Sequence, residues 1–271
     1  MNILNNKRII TIIIILSIIL VMAGCGNNNH SDNNNDSGVI LTHLDFEGKR
    51  VGVISGMITS ALTKDDIKGT AVFYSSNEAA LRDLKNRRIE GFMIDLSIAR
   101  VIAAQPGNEN LQVVAMPPEM FSGPLGAVSA NKEIIDNFNA FLDQIKSDGI
   151  LADMQSRWLE DDPDPVMPAI TLTAVNGVLR IGTGGESRPF SYEDENGNLK
   201  GYSIELAKRF AEREGMGIEF ITMKFQDLIP YAINNDVDLS IDAITITDAR
   251  KELILFTDSI YDDLMGIITL R

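Results

Sequence analysis

Cysteine is almost missing from this chain: Cys25 is the single one in 271 residues. One cysteine excludes an internal disulfide framework and any cysteine-only metal cluster, so the fold has to be held by its core. Histidine is nearly as scarce, with His30 in a polar tract and His43 near the start of the patterned region. Neither has a nucleophile or a second ligand beside it, so no metal, no cofactor and no nucleophilic catalysis is expected. Positive charge is also in short supply, since 24 Lys and Arg face 38 Asp and Glu, for a net charge of −14 without any basic block. Nucleic acid is therefore not an expected partner, and the acidic surface speaks for solubility rather than for fold.

Long apolar runs are absent except at one end. Lys7 and Arg8 precede residues 9–22, which are apolar but for Thr11 and Ser17, and Ala23-Gly24 then lead into Cys25. A short positive stretch, an apolar run and small residues make the layout of a secretory signal, too short to span a bilayer comfortably as a permanent helix. An uncleaved N-terminal anchor is the alternative. Residues 26–38 are Asn, Asp, Ser and Gly with one His, a composition that buries no apolar area and reads as a solvated tether. The stretch Val21-Met22-Ala23-Gly24-Cys25 resembles the lipobox of bacterial lipoproteins. That resemblance implies a signal peptide over 1–24, lipid on Cys25 and a tether over 25–40. It places the body at the outer face of a bacterial cytoplasmic membrane.

About 230 residues remain, enough for one large domain or two modest lobes. Two βα-rich stretches flank a segment of prolines and acids. In the first, strands are expected at 49–54, 71–74, 91–94, 111–115 and 125–128, with a helix over 78–86 capped by Ser76-Asn77. Apolar residues at helical spacing follow over 134–145 and 151–158, parted by Asp148-Gly149. Residues 160–168 hold Pro163, Pro165 and Pro168 with four acids, which suits a linker and neither a helix interior nor a central strand. The second stretch predicts strands at 178–182, 218–222 and 239–246 and helices at 202–214 and 226–234. Alternation of this kind implies an α/β fold of mainly parallel sheets with flanking helices. Ligands in such folds bind outside the carboxyl ends of strands, which singles out residues 55–59, Asp95, residues 184–190 and residues 245–250.

The residues Gly182-Thr183, Arg188-Pro189-Phe190 and Asp194-Glu195-Asn196-Gly197-Asn198-Leu199-Lys200-Gly201-Tyr202-Ser203-Ile204-Glu205-Leu206-Ala207 resemble the first half of the family 3 solute-binding proteins. These are the amino-acid-binding components of ABC importers. Asp236-Val237-Asp238-Leu239, Thr245-Ile246-Thr247, Arg250 and Phe256-Thr257-Asp258 continue the match. Glu47-Gly48-Lys49-Arg50-Val51-Gly52-Val53 is similar to the start of the family's second lobe, and Ser147-Asp148-Gly149 with Trp158 to its closing helix pair. The resemblance implies a two-lobed type II periplasmic-binding-protein fold with its halves in reversed order, as in a circular permutation. Lobes exchanged between chains, or a chain that has lost neighbouring halves, are the alternatives. On this reading lobe 2 spans 41–124 and lobe 1 spans 125–271. Lobe 1 divides into closing helices at 132–159, a linker at 160–176, a βα core at 177–259 and a crossing strand at 260–271.

The resemblance also implies a site. Arg250, ending Thr245-Ile246-Thr247-Asp248-Ala249-Arg250, matches the arginine that binds the ligand carboxylate, and a guanidinium fork suits that group. A surface arginine paired with Asp248 is the plainer reading. Asp95 matches the acid for the α-ammonium, although capping of the next helix would also explain a carboxylate there. Thr245 and Ala243 fall beside the carboxylate position, and Met57, Ile58 and Thr59 in a loop whose backbone N–H groups face it. Phe225 and Phe190 are candidate aromatic walls, and Ser187 stands where an aromatic often packs. Gly184, Asp242, Ala243, Met57 and Ile58 depart from the family's usual residues, which leaves the ligand's side chain open. The expected function is extracytoplasmic capture of an amino acid or similar zwitterion by a monomer that hands it to an ABC permease. A ligand sensor acting on a membrane partner, or a dehydratase-like enzyme using Glu186 or Asp242, are the other classes.

Overall fold

The computed structural model describes residues 42–160 and 165–271. The signal segment, the lipid position Cys25, the tether and residues 161–164 of the linker lie outside the described residues. A 3-10 turn at His43–Phe46 leads into strictly alternating elements: β1 (Arg50–Ile54), α1 (Thr59–Asp65), β2 (Thr70–Tyr74), α2 (Asn77–Lys85), β3 (Gly91–Asp95), α3 (Leu96–Ala104) and β4 (Leu111–Ala115). The apolar strand residues make β1 and β3 central, and every residue of β3 is buried. Ser76 caps α2 by accepting from Ala79 N at 3.3 Å, as its residue type led one to expect.

Next come β5 (Ser122–Leu125), β6 (Val128–Ser129), α4 (Lys132–Ser147) and α5 (Ile150–Gln155), the last continued by a wider π turn at Ser156–Glu160. Gly149, with φ of 75°, makes the left-handed joint between α4 and α5. After the linker stand β7 (Val178–Thr183), β8 (Glu186–Ser187), β9 (Ser191–Glu193), β10 (Leu199–Lys200), α6 (Tyr202–Glu214) and β11 (Gly217–Thr222). The chain ends with α7 (Leu228–Ile233), β12 (Leu239–Ser240), α8 (Asp248–Lys251), β13 (Leu255–Phe256) and β14 (Tyr261–Leu270).

Two sheets result. The first runs β2-β1-β3-β14-β4 with β5 paired to β14, and the second runs β11-β7-β12-β6-β13. Both are mixed rather than wholly parallel, because β14 runs antiparallel to β3 and β4, and β6 to β12 and β13. The last strand, expected with lobe 1, instead sits inside the first sheet, where Ile267 and Ile268 are fully buried. Two passages join the sheets, one from β5 to β6 and one from β13 to β14. They are bonded to each other through Ile260 N to Leu125 O at 2.9 Å and Thr257 N to Ala127 O at 2.9 Å.

Three expected elements are cut short for physical reasons. The strand read over 125–128 breaks at Gly126 and Ala127, where the chain leaves one sheet for the other. The strand over 239–246 ends after Ser240, because the buried carboxylate of Asp242 collects Ala243 N and Gly184 N at 2.8 Å each and turns the chain out of the ladder. The helix over 226–234 begins as a 3-10 turn at Phe225–Asp227, and Pro230 is tolerated in the first turn of α7, where its missing N–H has no helical partner.

The helices before the linker pack on the one after it. Phe138 and Phe141 of α4 meet Phe210 of α6 at ring centroid distances of 4.8 and 5.7 Å. Glu205 of α6 is fully buried and accepts from Trp158 Nε1 at 2.6 Å, Arg157 Nη1 at 2.8 Å and Arg209 Nε at 2.9 Å. A buried carboxylate is tolerable only when its lone pairs are filled in this way. Across the two sheets the halves also touch. Gly56, with φ of +87°, comes so near that a Cβ there would lie 2.9 Å from Gln226 Cα.

Two outcomes follow from these contacts. Glu205→Ala leaves an indole N–H and two guanidinium groups without their acceptor, and the expected loss is about 3–5 kcal/mol in urea unfolding; a loss below about 1 kcal/mol would show that the cluster is solvated instead. Gly56→Ala strains a left-handed backbone and pushes on Gln226, so solution scattering should show a larger radius of gyration than for the wild type. Identical scattering curves would mean that the halves do not meet at Gly56 in solution.

Candidate functional site

The carboxyl ends of β1, β3, β7 and β12 converge on the seam between the two sheets, as the strand-end rule anticipates. From the second half come Arg250 in α8 and Thr245 before it. Arg250 Nη1 donates to Thr245 O at 2.6 Å, and Nη2 donates to Gly56 O at 2.7 Å on the other side of the seam. The plainer reading of Arg250 as a partner of Asp248 is not what the side chain does, and Lys251 takes that acid at 3.8 Å. A guanidinium carries five N–H donors, so three stay available after these two bonds.

Asp95 ends β3 and precedes α3 without capping it, since its side chain makes no cap bond. It is fully buried, and neither carboxylate oxygen has a hydrogen-bond partner. Burial raises its pKa well above the carboxylate range, the charge on Asp263 adds to the rise and the Arg250 guanidinium opposes it. Burial in turn draws Arg250 below its usual value, with Asp95 working the other way. These paired influences put the cation and the unsatisfied acid in one electrostatic neighbourhood.

Asp242 is the third buried acid. Its Oδ2 accepts from Gly184 N at 2.8 Å and Ser191 Oγ at 3.0 Å, and its Oδ1 from Ala243 N at 2.8 Å. Burial pushes it up to about 6 against those donors. The same packing explains Gly184, where a Cβ would lie 2.6 Å from Asp242 Oδ2. An acid at 242 and a side chain at 184 exclude each other.

Beside this frame lies a cavity of about 310 Å³ lined from both halves, with Ser75 and Asn77 on one side and Glu186, Ser187, Lys224 and Phe225 on the other. Asn77 Nδ2 reaches Glu186 O at 3.4 Å across it. Phe225 and Ser187 thus both line this cavity. Phe190 does not: it is fully buried, with its ring 6.2 Å from Tyr202 and 6.4 Å from Tyr261, and serves the core instead of a cavity wall. Thr245 and Ala243 are buried beside Arg250 and Asp242, while Met57 is buried and Ile58 half-buried at the start of α1. Thr59 is fully buried with its hydroxyl unpartnered. Sequence reasoning missed Ser75 and Asn77, although they follow the end of β2 and the strand-end rule covers them; the strong capping signal at Ser76-Asn77 drew the reading elsewhere. Among the described residues no group of acids, His or Cys has the arrangement of a metal site.

The sequence profile described as bacterial extracellular solute-binding proteins, family 3, matches residues 179–271. The arginine-binding extracellular protein ArtP of Bacillus subtilis is 37% identical over 83 residues, covering 31% of this chain and 32% of that protein. The lysine/arginine/ornithine-binding periplasmic protein of Escherichia coli is 31% identical over 93 residues, covering 34% of this chain and 36% of that one. Among solved structures, the arginine-bound domain 1 of TmArgBP is 32% identical, with 38% of this chain and 87% of that chain covered at a TM-score of 0.31. The chain thus spans about a third of the length of the curated relatives it matches. The mixed α/β lobes carry the type II architecture of these relatives, which are amino-acid-binding proteins of the extracellular or periplasmic space. Residues 179–271 of this chain are thus similar to the family 3 bacterial extracellular solute-binding proteins.

Proposed function

We propose that this protein captures an amino acid, or a zwitterion of similar size, between its two halves and delivers it to an ABC permease. The observation that carries the reading is Asp95: a fully buried carboxylate with no donor on either oxygen, in the field of an arginine with spare N–H groups. An isolated buried acid is costly, and a ligand ammonium removes that cost by supplying both charge and donors. Arg250 then takes the carboxylate with the N–H groups that Thr245 and Gly56 leave free. Contacts from both halves give the ligand its preference for the closed state. Phe225, Ser187 and the cavity they line would receive the side chain, with Thr59 and the start of α1 close to the carboxylate end.

The remaining parts of the reading are of the same kind. Lipid on Cys25 would hold a monomer at the outer face of a bacterial cytoplasmic membrane through the polar tether. No helix among the described residues is long and apolar enough to cross a membrane, which is compatible with attachment by lipid. We read the order of the halves as a circular permutation. In its support, both sheets close within one chain: β14 completes the sheet of β1 to β4, and β6 joins the strands that follow the linker. Of the two acids named for a dehydratase-like reaction, Glu186 and Asp242, the second is already held by Gly184, Ala243 and Ser191, which favours binding over turnover there.

A thermal-shift screen of the standard amino acids tests the site. At about 100 times Kd a ligand adds about 2.7 kcal/mol, which raises Tm by roughly 5–10 °C for a body of this size. Arg250→Ala should cut affinity by about 10- to 100-fold, the worth of hydrogen bonds to a charged group, and so flatten the response. If no amino acid moves the wild type, or the variant responds equally well, the proposed site is wrong.

A further inference from the structure

The proposed ligand frame contains one acid more than a zwitterion asks for. Asp263 lies in β14, is 4% exposed, and accepts from Leu264 N at 2.8 Å and from the Ser97 hydroxyl through a very short contact. In the antiparallel pair of β3 and β14, Asp95 stands opposite Met265. Side chains alternate along a strand, so Asp263 shares the face of Met265 and is the diagonal neighbour of Asp95, about 7–8 Å away between backbones. Two carboxylates brought together in a buried space cannot both ionise freely.

The charged and titratable groups facing this pair are few. Arg100 of α3 and Tyr261 of β14 face Asp263, while Asp242 after β12 and Arg250 of α8 face Asp95. The flanking strands β4 and β5 bring none. Arg250 is already bonded to Thr245 and Gly56, so no side-chain cation neutralises the pair by direct contact with Asp95. Burial pushes both acids upward, and the charge on Asp263 adds to the rise at Asp95.

We propose that Asp263 is a positioning residue for Asp95: with Asp263 buried as its diagonal neighbour, Asp95 keeps a proton in the unliganded site and releases it to solvent when a ligand ammonium arrives. The ligand half of this inference rests on the amino-acid reading above. The charge balance is plain, since one proton leaves as one cation enters and both carboxylates end ionised. The device also selects, because a neutral amide or hydroxyl in the ammonium position cannot displace the proton, whereas a full cation can.

Two measurements on wild type and Asp263→Asn separate this proposal from the function it builds on. In carboxyl-carbon NMR of the unliganded protein, with Asp95→Asn to assign the signal, Asp95 should titrate above the exposed aspartates, and Asp263→Asn should bring it down. In calorimetry with L-arginine, run in buffers of different ionisation enthalpy, the wild type should release about one proton. Its Kd should then rise about tenfold for each pH unit below the pair's titration, where exposed carboxylates are still ionised. Asp263→Asn should bind with a much flatter pH profile and little proton release; Asp263→Ser repeats the comparison if the Asn variant does not fold. An Asp95 titration unchanged by the substitution, or the same pH slope of arginine affinity in both proteins, overturns the proposal. If L-arginine gives no heat at any pH, that ligand fails, and the NMR comparison alone decides the pair.

Discussion

The hydrogen bonding of β14 between β3 and β4 is the constraint on which the remaining structure depends. Without it the first sheet would split into a three-stranded piece and two stray strands, β4 and β5, each with an open edge of unpaired N–H and C=O groups. The strand that fills the gap follows the strands of the second sheet in sequence, so the first half cannot be complete until Tyr261–Leu270 is in place. The same strand runs through Asp263 to Tyr261, beside the passage from β5 to β6, and so reaches both halves. A long, fully paired strand at that position makes the joint a defined one. The two passages lie side by side and are hydrogen-bonded to each other.

Charge burial organises the site in a parallel way. Three acids lie behind the seam, and each is handled differently. Asp242 is satisfied by backbone N–H groups and a serine hydroxyl, which is why the chain leaves the ladder there and why residue 184 has no side chain. Asp263 is satisfied in part, by Ser97 and Leu264. The Asp95 carboxylate takes no hydrogen bond from another residue. The gradient from satisfied to unsatisfied points at the seam, where a bound cation would be the missing partner. Arg250 supplies the opposite charge, and its bonds to Thr245 and Gly56 hold it at that place while linking the halves. Glu205 shows what the same residue type looks like when its role is structural, with Trp158, Arg157 and Arg209 around it.

The elements legible in the sequence were those with strong local signals. β1, β3, β4, α6 and β11 fall within about a residue or two of their expected bounds, because an apolar run or an amphipathic period is a property of neighbours along the chain. Ser76 as a cap and Gly149 as a left-handed joint were legible for the same reason. Residues 125–128 and 239–246 misled, because both are apolar enough for a strand but end where the chain changes sheet or turns around Asp242. Phe190 misled because an aromatic beside a predicted site looks the same in sequence whether it faces a cavity or the core. Asp263 gave no signal: an acid within an apolar strand is surprising, but only the register with β3 makes it the neighbour of Asp95.

By itself the sequence determined the strands and helices with strong local periodicity, that no internal disulfide supports them, and which side chains lie at the ends of those strands, where α/β folds bind ligands. These are consequences of local periodicity, composition and chain direction, and they need no knowledge of partners. Only the tertiary structure decided that β14 enters the first sheet, that Arg250 spans the seam to Gly56, and that Asp95 is left without a donor beside a second buried acid. Those facts depend on pairings between residues more than a hundred positions apart, such as Asp95 with Met265 and Arg250 with Gly56. Sheet register and desolvation are collective properties of the folded chain, and no window of sequence contains them.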